Sequence, residues 1–189
     1  MPAPTPASPP ASFQRVAVIG ATGCGKTTLA KALAKRLGAP HIELDEFYWE
    51  ANWQRASRED FRARVEKALA PPVWVADGNY SRARDLIWGR ATALVWLDYS
   101  RPLILWRLAR RTVLRLFKRE VLWNNNRERV FDIISARDSL LAWARQKHPS
   151  HHSEYPALLA TPEYNHLHAV RLTSPKEAER WLEAVPATK

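Results

Sequence analysis

Cysteine and long apolar runs are both scarce in this sequence, and each shortage removes a class of protein. One cysteine, Cys24, leaves no intramolecular pair, so a disulfide-stapled scaffold is excluded and nothing asks for an oxidising compartment. No stretch reaches the ~18 apolar residues of a membrane-spanning helix. The N-terminal MPAPTPASPPAS holds five prolines but neither a basic stretch nor an apolar core, so it does not read as a targeting segment. The expectation is a cytoplasmic protein with a disordered Pro-rich tail over residues 1–14. What remains is ordinary: 189 residues, 46% hydrophobic and 25% charged. That suits one α/β domain over residues 15–185, burying about 70% of its unfolded surface.

Acidic residues are also in deficit, and the deficit is local. Lys and Arg outnumber Asp and Glu by 13 to 10 in residues 1–100, by nine to two in 101–129, and are level at seven each thereafter. A basic segment inside a balanced chain points to a polyanionic ligand, either nucleic acid or the phosphates of a nucleotide.

Five short apolar runs read as strands: Arg15 to Gly20, His41 to Leu44, Val73 to Ala76, Ala93 to Leu97 and Leu167 to Leu172. Most are apolar on both faces, as buried parallel strands are. Helical patterns lie between them. Leu29, Leu33 and Leu37 recur every four residues before Gly38, and Phe61, Val65 and Leu69 follow a Ser57 to Asp60 cap. This alternation predicts a doubly wound parallel sheet.

Directly after the first run stands Gly20-Ala-Thr-Gly-Cys-Gly-Lys26-Thr27, a complete G-x-x-x-x-G-K-[ST], with a helical pattern at once behind it. Glycines let such a loop turn its N–H groups inward, and the helix N-terminus adds partial positive charge. Gly20, Ala21, Thr22, Gly23, Cys24, Gly25, Lys26, Thr27 and Thr28 are therefore the expected nucleotide-binding residues. Lys26 would reach the β and γ phosphates, and the Thr27 hydroxyl would ligate Mg²⁺. A guanine-reading [NT]-K-x-D is absent, which favours ATP.

Two carboxylates at strand ends compete to orient the metal, Asp77 and Asp98. Asp77 is preferred, acting through water, because Gly78 lets backbone approach and Asn79, Tyr80 and Ser81 follow; Asp98 reads as a cap of the next helix. Asp45, at the end of the second strand, would accept a proton or position a hydroxyl nucleophile, unless it belongs to a solvated acidic turn with Glu46 and Glu50. Cys24, at a helix start, is expected to favour its thiolate.

The basic segment reads as a helix from Arg101 to about Arg119. Arg107, Arg111, Arg115, Lys118 and Arg119 share one arc, interrupted by Leu108 and Leu114, while Leu105, Trp106, Val113, Leu116 and Phe117 take the other. An asparagine run ending in Arg127 and Glu128 follows. Together these read as an arginine lid over about 101–130 that closes on phosphates, Arg107, Arg111 and Arg127 converging on the transferring group; a solvated basic face is the alternative. Trp74, Trp96 and Trp181 read as core, whereas Trp49, Trp53 and Trp123 fall beside polar motif residues. His148, His151 and His152 read as a surface loop rather than a zinc site.

In that order GATGCGKTTLAKAL, LDEFYW, VADGNYS, RDLIWGR, the basic helix and LWNNNRE resemble the adenylate kinase-like P-loop proteins often labelled DNA topology modulation proteins. The resemblance runs from about Arg15 to Leu182. It implies a three-layer P-loop kinase-like fold with a five-stranded parallel sheet, ATP and Mg²⁺ as cofactors, and a mobile basic lid. It further implies that Lys26 and Thr27 hold ATP-Mg²⁺, that Asp45 and Asp77 face acceptor and metal, and that Arg127 belongs to the lid. Asn125 departs from the glycine of that family's W-N-G-N-R-E; asparagine tolerates the left-handed backbone a turn needs there. The activity expected is phosphoryl transfer from ATP to a small molecule such as a nucleotide or nucleoside, as a kinase without a membrane partner. A nucleic-acid-associated, ATP-binding regulator or ATPase is the rival.

Overall fold

The computed structural model describes residues 13–118, 121–127 and 154–187. The proline-rich stretch before Phe13, Arg119, Glu128 and the three clustered histidines lie outside the described residues. The chain begins with β1 (Arg15–Gly20), the phosphate-loop candidate and α1 (Lys26–Leu37). Next come β2 (His41–Glu43), α2 (Leu44–Tyr48), α3 (Arg58–Ala68), β3 (Trp74–Asp77), α4 (Arg84–Arg90) and β4 (Ala93–Leu97). The basic helix is α5 (Arg101–Lys118), followed by the small hairpin β5 (Val121–Leu122) and β6 (Asn126–Arg127). A helical stretch at 154–159 leads to β7 (His168–Leu172) and α6 (Pro175–Ala184).

Five strands form one sheet in the order β2-β3-β1-β4-β7, all parallel. Strand alternation sends Val16 and Val18 to one face and Ala17 and Ile19 to the other. On the first face α1 and α6 pack Leu29, Leu33 and Trp181 against the sheet. On the second, α3 and α4 contribute Phe61, Val65, Ile87 and Trp88. Phe61 and Leu33 are wholly enclosed, and each such side chain contributes about 1.5–3 kcal/mol relative to exposure. The result is a three-layer fold, one five-stranded parallel sheet with helices on both faces.

Helix ends follow their sequence signals. Ser57 Oγ accepts the Asp60 N–H at 3.0 Å, and Gly38, left-handed at φ 60, closes α1 with its N–H on the carbonyls of Ala34 and Lys35. Trp74, Trp96 and Trp181 are core residues. Three strands differ at their boundaries from the sequence reading, β3 running Trp74–Asp77 rather than Val73 to Ala76. Leu44 and Asp45 open α2 instead of extending β2, and Leu167 precedes β7.

The basic helix is oriented differently from its predicted arc. Ile104 and Leu108 form its buried side, Arg107 and Arg111 are half-buried, and Trp106 is 59% exposed with the Arg110 guanidinium over its ring at 5.7 Å. Leu108, taken as an interruption of the basic stripe, is the contact residue, because the helix meets the loop after β1 there: a Cβ on Gly23 would lie 3.5 Å from Leu108 Cβ. Trp106, taken as part of the apolar side, faces solvent. Among the described residues no helix is long and apolar enough to cross a membrane.

Candidate active site

The loop after β1 is shaped by close approach. A Cβ on Gly20 would stand 2.5 Å from the Leu97 carbonyl oxygen, and its φ of 148 is one that side-chain-bearing residues rarely adopt. Gly20 is also gripped from outside, its N–H donating to Asn79 Oδ1 at 3.2 Å and its carbonyl accepting from Asn79 Nδ2 at 2.6 Å. Asn79 thus ties the start of the loop to the end of β3. Lys26 folds over the loop, Nζ donating to the carbonyls of Gly20 and Ala21 at 3.0 and 3.2 Å.

Asp77 lies at the end of β3, level with Val18 of the adjacent β1. This register carries its carboxylate to the start of α1, where Oδ2 accepts the Thr27 hydroxyl at 2.7 Å. Its other oxygen, Oδ1, meets His41 Nε2 at 2.6 Å. Asp77 is only 4% exposed, so both bonds are needed to offset burial of a charge. Asp98, the alternative carboxylate, is paired with Arg171 on β7 through Oδ2 at 2.5 and 2.7 Å.

Asp45, in the first turn of α2, accepts the Tyr80 hydroxyl. Burial pushes the Tyr80 phenol well above its ordinary range, and the Asp45 charge and hydrogen bond add to the effect, so Tyr80 is a permanent donor there. Gly78 permits this approach, since a Cβ on it would fall 2.9 Å from Leu44 Cβ. Glu43 completes an acidic edge. Its carboxyl is raised by burial first and by the charges of Asp77 and Asp45, while Lys31 and a hydrogen bond from Trp123 oppose the rise.

Two predicted arginines stand near this end of the sheet by different routes. Arg107 donates to the Cys24 carbonyl at 2.7 Å and lies over the Tyr99 ring at 5.3 Å, so α5 is fastened to the loop itself. Arg111 is half-buried one turn further along. Arg127 pairs through its backbone with Val121, and its side chain is outside the described residues.

Cys24 corrects an expectation. Its thiol is wholly buried among the residues packed under α1, and burial raises its pKa above 9.0 against the lowering charges of Lys26 and Arg107. The helix start is outweighed by desolvation, so the thiol form is favoured.

The asparagine run does more than turn. Left-handed backbone falls on Asn124 (φ 52), one residue before the position where the family pattern has glycine. Asn124 Nδ2 donates to the Trp49 carbonyl at 2.5 Å. Asn126 donates to the Glu50 carbonyl at 2.8 Å and accepts the Trp53 N–H at 3.0 Å. Beside these bonds Trp49, Trp53 and Trp123 run edge to face, with centroids 5.6 and 6.4 Å apart. The hairpin is thereby clipped to the segment after α2. Sequence reasoning missed His41, Asn79 and this clip, because each contact joins residues 36 to 76 positions apart; the DGNYS resemblance was the one signal that could have marked Asn79.

A bound nucleotide and metal fit the donors present. The cradle offers left-handed Gly23 and Gly25 (φ 83 and 103), a lysine whose two partners are neutral carbonyls that an anionic phosphate oxygen outcompetes, and a hydroxyl with a carboxylate, the hard oxygen donors Mg²⁺ takes.

Comparison with known proteins bears on the fold. Residues 16–77 match the family model described as ATPase family associated with various cellular activities (AAA). A curated shikimate kinase of Parabacteroides distasonis is 42% identical over 57 residues. That match spans 30% of this chain and 32% of the relative, so the chain aligns with about a third of that protein. A solved gluconokinase of Sinorhizobium meliloti superposes with a TM-score of 0.51 at 20% identity, over 90% of this chain and 92% of the other. A shikimate kinase of Bacteroides thetaiotaomicron gives 0.51 at 17% identity, over 90% and 94%. These likenesses place the chain in the P-loop kinase fold.

Proposed function

We propose that this protein is an ATP- and Mg²⁺-dependent phosphotransferase acting on a hydroxyl of a small molecule. The observation that carries the reading is the 2.7 Å bond between Asp77 and Thr27, the residue after Lys26, with Asp45, which accepts the Tyr80 hydroxyl, following the neighbouring strand at the same end of the sheet. A Mg²⁺ ion held here would supply positive charge to the phosphates. Thr27 would ligate it, and Asp77 would orient its water shell. The loop N–H groups and the Lys26 ammonium would bind phosphate oxygens. Asp45 would accept the proton of the acceptor hydroxyl. Arg107, carried by the helix that rests on the loop, would supply positive charge as the site closes, with Arg111 and Arg127 following it.

The narrower resemblance to DNA topology modulation proteins is supported by the work DGNYS does here. Its Asn79 clamps the loop and its Tyr80 holds Asp45. A nucleic-acid-associated role rests on a different observation, the outward face of α5 with Trp106, Arg110 and Arg101 exposed.

The test is ATP consumption against nucleosides, nucleotides and small polyols, with shikimate and gluconate included because proteins named for those substrates share the fold. Acceptor-stimulated ADP release is expected. Nucleic-acid binding that weakens by about 10³-fold from 50 to 200 mM salt, without acceptor-stimulated turnover, would replace this reading with the rival.

A further inference from the structure

His41 draws no attention in the sequence, yet it completes a buried polar network at the end of β3. It opens β2, the edge strand, and lies opposite Val75 while Glu43 lies opposite Asp77. In parallel strands that register puts His41 and Asp77 on the same face, the one covered by α1. The His41 side chain keeps 15% exposure against 4% for Asp77, with Nε2 and Oδ1 2.6 Å apart. A carboxylate only accepts, so the imidazole presents a protonated Nε2 and donates.

Asp77 is therefore held at both oxygens, by His41 on one and by Thr27 on the other. Rotation of the carboxylate breaks one bond or both. A second force acts on the same group: Glu43 is close enough for the Asp77 charge to raise its carboxyl, so Asp77 has a like-charged neighbour at the same end of the sheet. A donor on the far oxygen opposes displacement by that repulsion. The β2–β3 pairing is a backbone contact over His41–Glu43, separate from the bond between the His41 side chain and Asp77.

We infer that His41 is a positioning residue for the divalent cation of bound nucleotide, fixing Asp77 in the orientation that serves Thr27 and the metal together. The inference rests on the phosphotransferase reading of the loop. It assigns His41 no contact with nucleotide or acceptor, only with the carboxylate that orients the metal. Groups that hold such carboxylates typically change metal affinity by about 10- to 100-fold when removed.

The test compares wild type with His41→Ala, His41→Leu and His41→Gln by calorimetry of ATP binding, once in excess Mg²⁺ and once in EDTA, with electron paramagnetic resonance of Mn²⁺ as a direct metal readout. For the Ala and Leu variants the Mg²⁺ concentration giving half-maximal tightening of ATP binding is expected to rise about tenfold or more. Their affinity in EDTA stays at the wild-type value, and Gln, which keeps a donor, recovers most of the loss. An unchanged Mg²⁺ requirement in folded Ala or Leu variants overturns the inference. So does an equal loss with and without Mg²⁺, or failure of both variants to fold, because each makes His41 structural only. Wild-type protein that binds ATP with no Mg²⁺ dependence sinks the metal reading itself, an outcome the wild-type arm reports separately.

Discussion

The loop after β1 is touched by the basic helix and the hairpin beyond that helix by the segment after β2, but loop and hairpin are built by opposite means. At the loop, one motif of eight residues brings its own geometry, and among the described residues Asn79, Asp77 and Arg107 reach it from elsewhere with side-chain hydrogen bonds. At the hairpin almost nothing is local: Asn124 and Asn126 bind backbone about 75 positions away, and Trp123 reaches Glu43. A motif carried by backbone conformation survives as a sequence pattern. A clip made by side chains on distant carbonyls leaves only a polar run that could serve any turn.

The largest effect should come from the loop. Lys26→Ala is expected to lower MgATP affinity beyond calorimetric detection, by about 10³-fold or more, with unchanged circular dichroism, since the ammonium bonds only to loop carbonyls. Undiminished affinity in a folded variant would break the comparison at its stronger side.

Asp77→Asn comes next and separates the two strand-end carboxylates. Turnover should fall about 10²-fold with a smaller change in ATP affinity, because the loop still holds phosphates. Asp98→Asn should instead leave turnover near wild type and cost about 1–3 kcal/mol of stability through its bonds to Arg171. Denaturant melts and steady-state rates on both variants decide the matter; a catalytic loss centred on Asp98 would reverse the assignment.

The helix is tested by two of its arginines. Arg107→Ala removes the tie to the Cys24 carbonyl and the Tyr99 ring and should reduce turnover by about 10- to 100-fold. Arg110→Ala, whose partner is the exposed Trp106, should change turnover less than twofold. Equal losses at both positions would mean that a charged face, and not one placed guanidinium, is at work.

How far each region could be read follows from these contacts. The sheet was legible because parallel buried strands are short apolar runs, and Arg15–Gly20 and Ala93–Leu97 fall where their residues predict. The helix extent was legible too, but not its rotation. Arginine stems tolerate partial burial, so a stripe of Arg107 and Arg111 with Leu108 between them can face the protein. The Asp77 preference over Asp98 rested on neighbouring residues; its partners His41 and Thr27 follow from strand order, which periodicity does not give.

Asn126→Ala probes the clip alone. Losing the bonds to Trp53 and Glu50 strands a backbone N–H and should cost about 1–3 kcal/mol locally. Faster amide exchange through residues 46–53 and a shift in tryptophan emission should accompany it, with global stability moved less. Unchanged exchange would show that the aromatic chain, not the asparagines, holds the hairpin.

The smallest effect is expected at Cys24, and its smallness is informative because a thiol in a phosphate loop suggests the contrary. Burial raises its pKa above the ordinary thiol value despite two nearby cations, so the native protein favours the thiol at neutral pH and offers no exposed sulfur. Alkylation by iodoacetamide should then be slow, tracking transient opening, and should become fast in denaturant; ATP should protect only by stabilising the folded state. The sign of the pH effect follows from the same shift. The folded state keeps a proton that the unfolded chain releases near pH 9, so Cys24 leaves stability unchanged at neutrality and withdraws it as pH rises past that value. Tyr80, raised by burial and by Asp45, loses stability in the same alkaline direction, so a Cys24→Ala variant should soften the alkaline decline without abolishing it. Rapid stoichiometric alkylation of native protein at pH 7, read by mass spectrometry, would mean that the loop opens far more readily than its tie to Arg107 implies, and the loop would then resemble the hairpin in depending on distant contacts for its shape.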